Sequence, residues 1–189
     1  MGRRLLLLGP PGAGKGTQAA MVCRALGIPH ISTGEMLRDH VGRGTDLGRR
    51  ARAIMDTGEL VPDAIVIAMV EDRLGAEDAG CGFLLDGFPR TVAQAEALDG
   101  LLAPDRSLEA VVSIEVVEDE VVQRLLDRAA KEGRSDDNEE TIRNRMAVYR
   151  GQTAPLLEYY GRDGIVRTVD GMGAIEEVFG RIAAALAGG

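Results

Sequence analysis

The sequence predicts an α/β domain with a parallel five-stranded sheet flanked by helices on both faces. Three observations predict it. Short apolar runs alternate with longer helical patterns along the chain. The first apolar run ends in a Gly-rich turn, residues 9–17, that opens a helix. The length of 189 residues suits one core with small appended lobes.

Each element follows in order. Arg3–Leu8 reads as a short apolar strand and Gly16–Leu26 as a helix. His30–Ser32 is short enough for a brief strand. Thr33–Arg43, Leu47–Asp56 and Asp63–Leu74 read as helices separated by polar or Gly breaks. Gly82–Asp86 is a second apolar strand, followed by a helix over Thr91–Leu102. Ala110–Val116 is a strand rich in Val and Ile. Glu118–Ala130 and Asn138–Tyr160 read as two helices around a Gly/Asp-rich loop. Ile165–Val169 closes the strands and Ala174–Ala187 the helices. Ligands of such folds bind at the carboxyl ends of the strands.

Composition narrows the function classes. Apolar residues make up 45% of the chain and aromatics 3%, so Leu, Val, Ile, Ala and Met must build the core. A domain of this length buries about 70% of its unfolded surface and needs no disulfide or metal staple. The net charge of −8 excludes a global basic field for nucleic acid. Anionic ligands would need local clusters of cation. Of the 22 cations only Lys15 and Lys131 are Lys. That excess of Arg reads as compositional bias, although Arg forks match phosphate geometry at individual positions. Cys23 and Cys81 match no metal or redox spacing and read as buried free thiols. The apolar start Leu5–Leu8 is too short for a signal peptide, and no run reaches transmembrane length. Leu6 stands where a myristoylation motif needs Ser or Thr. A cytoplasmic protein without a membrane partner is expected.

Gly9-Pro-Pro-Gly12-Ala13-Gly14-Lys15-Gly16-Thr17 has the context a P-loop requires, between a strand and a helix. Small residues let backbone N–H groups curl around a phosphate, and the helix N-terminus adds partial positive charge. Lys15 would reach the outer phosphates. In the general motif a hydroxyl follows Lys directly; here Gly16 intervenes before Thr17. Alone, this motif supports only nucleoside triphosphate binding. Asp170-Gly171-Met172-Gly173 fits the loose D-x-x-G pattern of GTPases, but no N-K-x-D accompanies it. Asp86, at the tip of the second apolar strand, could orient a hydrated Mg2+ or simply close a strand–turn. Thr91 and Gln94 have capping-box spacing, Ser32 or Thr33 could cap the next helix, and Asp137 with Glu140 could cap a later one. Arg124 and Arg128 share a helix face. Arg124 could pair with Glu120 or, with Arg128, hold an anion. Arg143 reads as a solvated partner of Glu139, and His30 and His40 as local structure.

GPPGAGKGTQ (9–18), ISTGEMLR (31–38), LVPD (60–63), LDGFPRTVAQ (85–94) and GRSDDNEETIRNRM (133–146) together resemble the adenylate kinases. The blocks agree in order and spacing over nearly the whole chain, and the likeness is to the short form whose lid is a loop. The resemblance implies one P-loop kinase domain with core segments 1–32, 62–127 and 139–189. It also implies a small helical AMP-binding lobe over about 33–61 and a short lid over about 128–138. It implies that Gly12, Ala13, Gly14, Lys15, Gly16 and Thr17 hold the ATP phosphates, with Arg124, Arg128 and, through backbone, Gly173 also on ATP. Thr33, Arg38, Glu59, Leu60, Val61, Gly87, Phe88, Pro89, Arg90 and Gln94 would form the AMP pocket, with Gln94 on the adenine edge. Arg134 and Arg145 would clamp phosphates from the lid side. Lys15, Arg90, Arg124, Arg128, Arg134 and Arg145 would be the catalytic cations. Asp86 would act on Mg2+ through water, the ion arriving as MgATP.

The implied reaction is transfer of a phosphoryl group from ATP to AMP, giving two ADP, by a monomer. The acceptor is an already ionised phosphate oxygen, so no general base is needed. UMP/CMP kinases are the near alternative. They tend to carry Ala at position 33 and Asn at position 94, whereas this chain has Thr33 and Gln94. A non-enzymatic P-loop adaptor would account for residues 9–17 alone.

Overall fold

A computed structural model describes residues 3–102, 107–132 and 138–188. Strand β1, Arg4–Leu8, sits at the centre of the sheet. It feeds helix α1, Lys15–Leu26, which leads to β2, His30–Ser32. Three helices follow: α2 Thr33–Gly42, α3 Asp46–Met55 and α4 Asp63–Leu74. A 3-10 turn at Glu77–Cys81 precedes β3, Phe83–Asp86, and α5 is Val92–Leu101. Then come β4 Ala110–Glu115 and α6 Glu118–Glu132, followed by α7 Glu139–Val148 and α8 Leu156–Gly161. Strand β5, Val166–Asp170, and α9, Ile175–Ala187, complete the described elements.

The five strands are all parallel, in the order β2-β3-β1-β4-β5. Alternation along β1 divides the core. Leu6 and Leu8 join the cluster that includes Phe83, Leu85, Phe88 and Tyr160. Leu5 and Leu7 join the cluster that includes Val22, Leu84, Ile114 and Ile182. Burial on both faces is why this strand is an apolar run and not an alternation.

Each expected strand is present, and the helices begin and end within a few residues of their expected bounds, with three differences. Asn138–Tyr160 is not one helix. Beyond Val148 the chain makes a π turn over Tyr149–Thr153, in which Ala154 N–H donates to Tyr149 O at 2.8 Å. Pro155 then supplies no N–H, and α8 starts afresh. Helix α6 continues through Glu132, past the expected end at Ala130, so the first part of the expected lid segment is helical. Residues 133–137 of that segment lie outside the described residues. Of the two thiols, both expected to be buried, Cys23 is buried and Cys81 exposed.

Candidate active site

The Gly-rich turn leaves β1 and enters α1 with Gly14, φ 83°, as N-cap. Gly12, at φ 81°, has no room for a Cβ: one would lie 2.9 Å from Val121 Cγ1 and 3.1 Å from Val121 O. Packing against α6 therefore demands glycine there. Lys15 Nζ donates to Gly9 O at 2.7 Å and Pro10 O at 2.9 Å, which holds the ammonium over the loop. Gly12, Ala13, Gly14, Lys15, Gly16 and Thr17 all line one large cleft at the carboxyl ends of the strands. Arg124 and Gly173 line its far side. Arg124 lies 3.7 Å from Glu120 and reaches Gly171 O at 3.5 Å, so the intrahelical pairing and the cleft position coexist. Arg128 is one turn further along α6, with its side chain outside the described residues, and Arg134 lies wholly outside them.

Asp86 ends β3 opposite Leu7 of β1 and Ser32 of β2, which brings its carboxylate beside the turn. Its Oδ2 would lie 3.8 Å from a Cβ on Gly16. His30 Nε2 donates to the same oxygen at 3.3 Å. Burial opposes ionisation of Asp86. The His30 bond and the charges of Lys15, His30 and Arg90 outweigh it and hold the carboxyl below its ordinary range. Burial likewise opposes the imidazolium of His30, but the bond to Asp86 and the charges of Asp86 and Glu35 raise its pKa above the usual value. Among the described residues no three His, Cys, Asp or Glu cluster as a metal cage. One buried carboxylate beside a phosphate cradle fits Mg2+, which keeps its waters and binds through few carboxylates plus substrate phosphates.

A second pocket opens under α2 and α3. Thr33, Arg38, Glu59, Leu60, Val61, Gly87, Arg90, Gln94 and Arg145 line it together. Thr33 Oγ1 and Arg90 Nε both donate to Gly87 O, at 2.7 and 2.8 Å. The Glu59 carboxylate accepts from Asn144 Nδ2 at 3.1 Å. Phe88 departs from expectation: its side chain is fully buried in the core and lines neither pocket. Pro89 lines a further pocket that shares Gly87, Arg90 and Arg145 with both spaces, and Lys15 with the cleft. Arg38, Gly87, Arg90 and Arg145 line both the pocket and the large cleft, so three guanidinium groups stand where the two spaces meet.

Comparison with known proteins gives the family. A family sequence model described as adenylate kinase matches residues 7–165. The chain belongs to the adenylate kinase family. An adenylate kinase of Thermobifida fusca is 54% identical over 184 residues, 97% of each chain. One of Thermus thermophilus is 52% identical over 187 residues, 98% of each chain. One of Stenotrophomonas maltophilia is 50% identical over 186 residues, 98% of this chain and all of that one. Membership makes the protein a phosphotransferase acting on nucleotides. Among the described residues no helix is long and apolar enough to cross a membrane.

In this adenylate kinase family member the D-x-x-G match at 170–173 is a local turn: Asp170 Oδ1 accepts from Met172 N–H at 2.9 Å. Ser32 caps α2 through Glu35 N–H, and Asn138 caps α7 through Thr141 N–H. The expected cap at Asp137 lies outside the described residues. Thr91 accepts from Gln94 N–H at 3.2 Å, but the Gln94 side chain does not close the box on Thr91. Its Oε1 accepts from Arg90 N–H at 2.8 Å, one residue further back. Arg143 pairs with Glu139 at 2.6 Å on the exposed face, as expected. Sequence reasoning missed two groups. His30 reads in the sequence as local structure; at the start of β2, beside the strand that ends in Asp86, it reaches that carboxylate. Thr153, which donates to Arg90 O at 2.8 Å, had no local signal, because only the π turn aims it there.

Proposed function

We propose that this chain catalyses reversible transfer of a phosphoryl group from MgATP to AMP, giving two ADP. The observation that carries the reading is the meeting of two spaces at one set of arginines. A phosphate cradle with Lys15 lines one side, and a pocket with Thr33 and Gln94 lines the other. Two polyanions held there would face each other across Arg38, Arg90 and Arg145.

Lys15 and the 12–17 backbone would grip the outer phosphates of the donor, while Arg124 and the 171–173 turn face its far end. Arg38, Arg90 and Arg145 would clamp the acceptor phosphate and neutralise charge as it shifts between substrates. Arg128 and Arg134 would add charge from the lid side. The acceptor oxygen carries its own negative charge at pH 7, so no residue need remove a proton. Asp86 would hold waters of the metal ion; when bound as MgATP, Mg2+ supplies charge neutralisation at the outer phosphates. Segment 33–61 would act as the AMP lobe and the segment around 128–138 as a lid that keeps water from the transferred group. Glu59 fits a backbone role on AMP, since Asn144 already occupies its side chain. A cytoplasmic monomer that engages neither membrane nor nucleic acid completes the reading.

The test is diphosphate formation from MgATP with AMP, CMP, UMP or dTMP, with Lys15→Ala as control for contaminating kinase. Rapid transfer to AMP alone, lowered at least about 100-fold by Lys15→Ala, is expected. Preference for CMP or UMP would overturn the acceptor assignment and keep the reaction class. ATP binding without transfer to any acceptor would overturn the reaction.

A further inference from the structure

We propose that Asp63 is a positioning residue that sets selectivity for the acceptor base, by locking the Gln94 amide in one of its two orientations. This rests on the reading that Gln94 faces that base. Gln94 lines the acceptor pocket yet is only 1% exposed, so its hydrogen bonds decide what it can present.

The bonds leave no ambiguity. A carboxylate only accepts and a backbone N–H only donates. Asp63 Oδ1 lies 2.7 Å from Gln94 Nε2, so the amide nitrogen must face Asp63. Arg90 N–H lies 2.8 Å from Gln94 Oε1, so the amide oxygen must face Arg90. Thr91 strengthens the lock. Its hydroxyl donates to Asp63 Oδ2 at 3.1 Å and accepts from Gln94 N–H at 3.2 Å. Asp63, Thr91 and Gln94 thus form a closed ring in which each proton has one assigned place. Asp63 begins α4, where a carboxylate also suits the helix dipole. That role needs no particular acceptor geometry toward α5, whereas the two bonds to Thr91 and Gln94 do.

The lock has a chemical consequence. One N–H and one oxygen lone pair of the Gln94 amide remain beyond these bonds. They match an edge that offers an acceptor beside a donor, as adenine does with N1 and its 6-amino group. Hypoxanthine presents N1–H and O6 in the same two places, with donor and acceptor exchanged. A free amide would rotate to accept either base; a locked one opposes the second at both atoms. Discrimination by a fixed bidentate amide is expected to be about 10- to 100-fold.

The experiment compares AMP with IMP, which differ only at that edge. Measure kcat/KM for each at saturating MgATP, and the binding of each without ATP by calorimetry, in wild type, Asp63→Asn and Asp63→Glu. The expected result is strong preference for AMP in wild type and at least about tenfold less preference in D63N. That loss should appear as a raised KM and Kd for AMP, with the KM for MgATP unchanged. D63E, which restores an acceptor-only group, should recover most of the preference. A merely structural role would weaken AMP and IMP alike and leave their ratio intact. Wild-type selectivity retained in full by D63N overturns the role of Asp63. Absence of selectivity in wild type overturns the placement of Gln94 against the base, and the proposal with it.

Discussion

Arg90 is held through both backbone and side chain before any ligand is considered. Its N–H donates to Gln94, its carbonyl accepts from Thr153, and its Nε donates to Gly87 O. A guanidinium anchored through Nε presents its planar fork in a set direction, which suits a phosphate. Lysine keeps the charge but loses the fork. Arg90→Lys is therefore expected to fold with a wild-type melting temperature and to lose about 100-fold in kcat; turnover within threefold of wild type would remove Arg90 from the clamp. The thiols separate by environment. Burial, and then the negative charge of Asp86, push the Cys23 thiol up to about 11, whereas Cys81 is exposed. At pH 8 a chromogenic disulfide reagent should titrate one thiol at once and the second only on unfolding. Two fast thiols would contradict the burial of Cys23.

At the scale of elements, glycines mark where backbones must approach. A Cβ on Gly48 of α3 would overlap the carbonyl oxygen of His40 on α2, so this close approach of the two helices needs glycine at position 48. Alanine gains about 1 kcal/mol in helix propensity. The forced separation costs about 1–3 kcal/mol or more, because the obstacle is backbone. Gly48→Ala should lower the melting temperature and raise the KM for AMP, and leave the KM for MgATP unchanged. An unaltered melt and unaltered AMP kinetics would show that the helices tolerate the side chain. The π turn is the second such device. Its extra residue aims Thr153 at Arg90 O, while Arg145 lies one turn earlier on α7. Thr153→Val should thus lower kcat by roughly tenfold, about one hydrogen bond's worth, and Thr153→Ser should restore it. Equal activity in all three proteins would leave the turn without a catalytic role.

For the whole molecule, the shared residues matter more than either pocket. Because Arg38, Arg90 and Arg145 border both spaces, occupancy of one alters the field in the other. Segment 33–61, which carries α2 and α3, lies between β2 and α4. Its last corner is tied to α7: Thr141 Oγ1 donates to Asp56 O at 3.0 Å, and Asn144 Nδ2 to Thr57 O at 2.7 Å. A bisubstrate analogue spanning donor and acceptor should slow amide hydrogen exchange through 33–61 more than ATP alone does. Equal protection by ATP alone would argue against closure of this lobe over the acceptor.

The sequence by itself determined the strands, most helices and the Gly-rich turn that enters α1. These are read from local periodicity, glycine spacing and short motifs, all of which lie within a few residues of each other. The expectations for Thr33 and Gln94 came from the family resemblance. It placed Asp86 at a strand tip but left its role open, since a strand–turn Asp and a metal-orienting Asp look alike locally. Only the tertiary structure decided what each side chain faces. It set His30 against Asp86, turned Phe88 into the core, broke the helix after Val148 and joined Asp63 to Gln94 across 31 residues. The physical reason is that parallel strands bring together residues separated by whole helices, and a hydrogen bond depends on that final distance, which no local pattern encodes.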